Sequence, residues 1–161
     1  MPIISINAGQ STSIADLLKT RYGELKNYSC HIGYGLGTTA SGEIPEEQGA
    51  SLAERAYKNE YGTSKIPARP FMHITAENNG RKWLATLKGA VQNGYTFKEA
   101  LVMVGEVGHK DVMQTIESHV PPPNSPATIA AKRARGRTHP ETTLIDTGEM
   151  QKGVSYEVVE A

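Results

Sequence analysis

Thr96-Phe97-Lys98-Glu99-Ala100-Leu101-Val102-Met103-Val104-Gly105-Glu106-Val107-Gly108-His109-Lys110-Asp111-Val112-Met113-Gln114-Thr115-Ile116 is the longest periodic stretch of the chain. It opens with a capping box, a threonine whose hydroxyl takes an orphan amide and a glutamate that reaches back to the threonine. Leu101, Val104, Gly108, Val112 and Ile116 then share one helical stripe, which stops before Pro121. Gly105 and Gly108 each cost up to about 1 kcal/mol against alanine in a helix interior. Their presence suggests close approach of another backbone or a kink, with ordinary helix packing in the core as the plainer account. The spacing predicts one long central helix.

On its upstream side, Arg81 to Val91 places Trp83, Leu84, Leu87, Ala90 and Val91 on one face, with Asn93-Gly94 as a C-terminal stop. Downstream, Pro121-Pro122-Pro123-Asn124 cannot be helical and opens an extended, Pro-rich and basic segment over 121–143. Ser125-Pro126 within it has the form of an N-cap and first helical position, so a short helix to about Arg133 is predicted. Asp146-Thr147-Gly148-Glu149 has the capping-box spacing, with Asp146 as cap and Glu149 reaching back, ahead of a short helix to Lys152. Val154, Tyr156 and Val158 alternate with Ser155, Glu157 and Val159, the pattern of a half-buried strand.

The first half is more broken. Ile3-Ile4-Ser5-Ile6 is a short strand rich in branched residues, and Ser13-Ile14-Ala15-Asp16 caps a helix predicted to about Tyr22. Tyr28 to Tyr34 contains a strand. Gly33, Gly35, Gly37 and Gly42, then the acidic Glu43 to Gln48 around Pro45, predict an exposed hairpin or flexible loop over 34–49. Leu52, Ala53, Ala56 and Tyr57 suit a helical face better than strand alternation, so a helix ending at Gly62 is expected. The whole, 1–161, reads as a single α+β domain: helices packed on one face of a small antiparallel sheet.

Composition narrows the function classes. Seventeen basic residues balance seventeen acidic ones, so the chain is not a polycation built to coat nucleic acid. No run approaches the length of a membrane span, and Met1-Pro2-Ile3-Ile4 lacks a signal-peptide pattern. The single cysteine, Cys30, excludes an internal disulfide. A hydrophobic fraction of 38% is lean, which suits a subunit that gains stability at an interface.

No catalytic, metal-binding or cofactor-binding residues are assigned. Gly33-Tyr34-Gly35-Leu36-Gly37 has the wrong glycine spacing for a dinucleotide loop. The five histidines are scattered, without ligand spacing for zinc. Cys30 and His31 are neighbours on a strand and face opposite ways, so they cannot act as a thiol–imidazole pair. A non-enzymatic role is therefore expected.

Two features suggest contacts with other molecules. Pro67 and Pro70 stiffen Ile66-Pro67-Ala68-Arg69-Pro70-Phe71, placing Arg69 and Phe71 either at an interface hot spot or in a turn that seals the core. Lys132, Arg133, Arg135 and Arg137 crowd a segment predicted to be exposed, where they can meet phosphates or the acidic groups of a neighbouring subunit.

The order of these phrases resembles the neck and tail-completion proteins of tailed bacteriophages. The phrases are Ala56-Tyr57-Lys58-Asn59-Glu60-Tyr61-Gly62-Thr63, Ile66-Pro67-Ala68-Arg69-Pro70-Phe71, Pro123-Asn124-Ser125 with Thr128 and Lys132, Leu144-Ile145-Asp146-Thr147-Gly148-Glu149-Met150, and Val154-Ser155-Tyr156-Glu157-Val158. The resemblance implies a structural virion protein of the neck, made in the host cytoplasm. It implies a homo-oligomeric ring, a hexamer or dodecamer, between a connector or head-closure protein above and a tail-terminator or tail-tube protein below. Non-specific contact with packaged DNA and no contact with membrane are the further expectations. The alternatives are a tail-terminator ring and, from another class, a small DNA-binding protein using the 132–137 run.

Overall fold

Among the residues that the computed structural model describes, 4–7, 28–36, 38–39 and 46–160, there are four strands and five helices. Strands β1 (Ile4–Asn7), β2 (Tyr28–Tyr34), β3 (Thr38–Thr39) and β4 (Val154–Glu160) form one antiparallel sheet in the order β1-β2-β4-β3. The helices are α1 (Glu46–Tyr61), α2 (Phe71–Gln92), α3 (Phe97–Glu117), α4 (Pro126–Ala134) and α5 (Glu149–Lys152). This is an α+β fold with a small sheet, the class that the pattern of periods predicts. The predicted helix over 13–22 lies outside the described residues.

Strand period two selects the buried face. Cys30, Ile32 and Tyr34 of β2 are buried, and they stand opposite Val158, Tyr156 and Val154 of β4. On the other face His31 and Glu157 are cross-strand partners, with Nδ1 and Oε1 3.6 Å apart. Burial pushes the Cys30 thiol up to about 12, and the nearby Glu157 charge pushes the same way.

Helix α3 lies against the buried face and carries the predicted capping box: Thr96 Oγ1 accepts from the Glu99 amide (3.2 Å) and the Glu99 carboxylate accepts from the Thr96 amide (2.8 Å). All five stripe residues are buried. Gly105 and Gly108 are where the sheet touches the helix: a Cβ at Gly105 would run into the Tyr156 ring, and one at Gly108 into the Ile32 side chain. The close neighbour is thus a pair of sheet side chains, not another backbone. On its far side α3 packs on α2, where buried Asp111 accepts from Trp83 Nε1 at 2.7 Å and from Lys82 Nζ at 2.5 Å.

The structure corrects three expectations. There are two long helices, because α2 starts at Phe71 and spans 22 residues beside the 21 of α3. Its first turns, through Glu77-Asn78-Asn79-Gly80, have weak helix propensity, and burial of Phe71, Met72 and Thr75 overrides it. The loop expected over 34–49 is shorter at both ends: β2 includes Tyr34, Thr38–Thr39 pair with Tyr156 and Ser155, and α1 begins at Glu46. Asp146 does not cap α5; Gly148, at φ 82°, takes the N-cap position, and no side chain caps it. Helix α1 ends where expected, at Gly62, whose φ of 75° and near contact with the Ala68 backbone leave no room for a side chain.

Candidate functional site

A cleft of about 530 Å³ gathers the sequence phrases that stand far apart in the chain. One wall is the Ile66-Pro67 turn that follows α1, another is Pro122 to Ser125, and a third is Thr143 to Gly148. Lys132 and Thr128 of α4 line it, as do Arg55 and Asn59 of α1.

The walls hold together through two cations. Arg69 is 5% exposed; its Nε donates to Pro122 O (2.8 Å), and its Nη2 to Pro123 O and Asn124 Oδ1 (both 3.4 Å). Lacking amide hydrogens, the prolines offer only carbonyls here, which suits a guanidinium fork. Asn124 passes the link on: its Nδ2 donates to the carbonyls of Pro140 (3.2 Å), Glu141 (3.4 Å) and Thr142 (3.1 Å). Lys132, 7% exposed, donates from Nζ to Thr142 O (2.7 Å) and Ile145 O (2.5 Å). Helix α4 that carries it starts at the predicted cap, Ser125 Oγ accepting from the Thr128 amide at 3.2 Å.

Burial holds the Arg69 guanidinium below its ordinary pKa. Burial also lowers Lys132; the Asp146 charge opposes that, while Arg69 and Arg137 add to it. The hydrogen bond from Arg137 holds Asp146 below the ordinary carboxylate range. Thr143 Oγ1 is buried with no hydrogen-bond partner among the described residues. Tyr34 Oη and His109 Nε2 share that condition, and neither residue lines the cleft.

Of the residues singled out in the sequence, Arg69, Lys132 and Asp146 meet at this cleft. Phe71 is fully buried in the core, so the Pro-Arg-Pro-Phe phrase seals the subunit from within and does not expose a hot spot. The basic run is not a free cationic patch either. Lys132 is buried, Arg133 pairs with Glu141 (2.7 Å), and Arg137 (2.9 Å) and Arg135 (3.9 Å) both reach Asp146. Glu149 accepts from Arg55 at 3.1 Å and does not reach back to a helix cap. Sequence reasoning missed Arg55, Lys65 and Thr143 as cleft residues, and nothing in their local patterns marks them. Among the described residues no group of three histidine, cysteine or acidic side chains is placed to hold a metal ion, and no helix is long and apolar enough to cross a membrane. Comparison with protein-family models, curated proteins and solved structures finds no match.

Proposed function

We propose that the chain is a non-enzymatic virion protein, a neck or tail-completion ring subunit joining the head connector of a tailed bacteriophage to its tail. The observation that carries this reading is the order of phrases from Ala56 to Val158, which resembles that family along most of the chain. It gains support from the cleft, where four of those phrases, separated in sequence, serve one local architecture. On this reading the subunit meets copies of itself head-to-tail around an axis, and meets a connector or head-closure protein above and a tail-terminator or tail-tube protein below.

With Arg69 and Phe71 buried, the ring contact needs another surface. Tyr57 and Tyr61, on one exposed face of α1 with ring centroids 4.8 Å apart, are 49% and 61% exposed. Tyrosine is the residue type that interfaces favour. The DNA-binding alternative loses its main support, because the charges of the 132–137 run are engaged within the chain.

The test is electron microscopy of the purified protein, alone and mixed with tail-less heads that carry a connector. Rings of six or twelve subunits, or density added only at the connector vertex, are expected. A monomer that joins neither heads nor tails overturns the proposal.

A further inference from the structure

We infer that the cleft binds a peptide segment of another protein, one that places a carboxylate next to an apolar side chain. The inference goes beyond the ring assignment and stands on the cleft's own chemistry.

The first ground is charge without a counter-ion. Arg69 and Lys132 are buried cations whose hydrogen bonds go only to neutral oxygens, and neither forms a direct ion pair among the described residues, although the Asp146 charge acts on Lys132 from farther off. Asp146, the carboxylate on the wall, is engaged by Arg137 and Arg135. A buried charge normally has an opposite charge within reach. Donors are left over as well: Arg69 Nη1 has no acceptor among the described residues, and Lys132 uses two of its three N–H groups. The second ground is Thr143, a residue of the cleft lining whose hydroxyl is buried without a partner among the described residues. Lys65 adds an exposed cation at the same cleft.

The rest of the lining selects the kind of anion. Ile66, Pro67, Leu144 and Met150 give it apolar walls, so an occupant that is all charge would leave them wet. Among the described residues no aromatic side chain lines the cleft for bases to stack on. The two cations are buried residues of the lining, 5% and 7% exposed, which favours a side chain that inserts over the phosphates of a rigid duplex. A volume of about 530 Å³ takes a few residues of extended chain.

The test uses a fluorescein-labelled Glu-Leu-Pro-Glu-Leu peptide, an acidic and apolar sequence that does not occur in this chain, with fluorescence anisotropy as the readout. Its all-glutamine counterpart, a ten-nucleotide oligothymidine and inorganic phosphate serve as competitors. Lys65→Glu and Thr143→Val are the variants, because neither side chain braces the cleft, and urea midpoints confirm that both fold normally. Carboxylate-dependent binding to the wild type, weakened roughly tenfold by each variant and weakened by salt, supports the inference. No binding of the glutamate peptide, equal binding of the glutamine peptide, full affinity in both variants, or displacement by phosphate or oligothymidine at lower concentration than by unlabelled peptide overturns it.

Discussion

The carboxylate of Glu60 caps a helix to which it does not belong: it accepts from the amide of Met72 at 2.9 Å, and also from that of His73 at 3.1 Å. Pro70, at the N-cap of α2, offers no side-chain bond, so the free amides of the first turn would be buried and unpaired without it. Glu60 is itself buried, and its charge faces the positive end of the α2 dipole. Replacing it with alanine should cost about 1–3 kcal/mol, and with glutamine less, since an amide oxygen still accepts. Urea unfolding of the two variants checks the order; equal losses would mean that the negative charge, and not the volume or a single accepting oxygen, carries the effect.

The glycines of α2 and α3 should respond to alanine with opposite signs. Gly80→Ala and Gly89→Ala have open space around the added methyl and should stabilise by about 0.5–1 kcal/mol. Gly105→Ala and Gly108→Ala press on Tyr156 and Ile32 and should cost about 1–3 kcal/mol. Thermal midpoints of the four single variants measure the contrast.

The basic run should divide on substitution. Lys132→Met leaves the Thr142 and Ile145 carbonyls short of a buried donor, a loss of roughly 1–3 kcal/mol. Arg133→Gln and Arg135→Gln break only exposed pairs and should stay within about 0.5 kcal/mol of the parent. Three equal and small effects would show that the segment is held by other contacts.

Acid should loosen the Arg137–Asp146 link in a defined window. The folded-state pKa of Asp146 lies below its ordinary 3.8, so its stabilisation is complete above that value and is lost as pH falls through the folded-state value. An NMR titration of the carboxyl carbon should place its midpoint below 3.8, and Arg137→Gln should move it upward. An unchanged midpoint in the variant would assign the shift to other groups.

The elements that were legible in the sequence are those that local chemistry decides. Thr96 with Glu99 and Ser125 with Pro126 cap the helices they announce, and the alternation of Val154 to Val158 gives a strand. The start of α2 was hidden because its cap, Glu60, comes from another helix. Asp146 has the spacing of a cap, but Gly148 in a left-handed conformation takes that place and the carboxylate turns to Arg137. Charge clusters were the least legible. Whether Lys132 faces solvent or the Thr142 carbonyl depends on the path of the loop after α4, which no periodicity encodes.

The pairing of β2 with β4 sets a timetable for biosynthesis. Tyr28 faces Glu160 and Tyr34 faces Val154, so the central strand of the sheet waits for its partner until residues 154–160 have left the ribosome. At about 5–20 residues per second that wait lasts several seconds or more. Helices α2 and α3, close in sequence, can pair meanwhile, yet the apolar row Cys30, Ile32 and Tyr34 stays uncovered on its β4 side. The nascent chain is therefore most open to aggregation just before β4 emerges, and it is the stretch from Val154 to Glu160 that closes the sheet over β2.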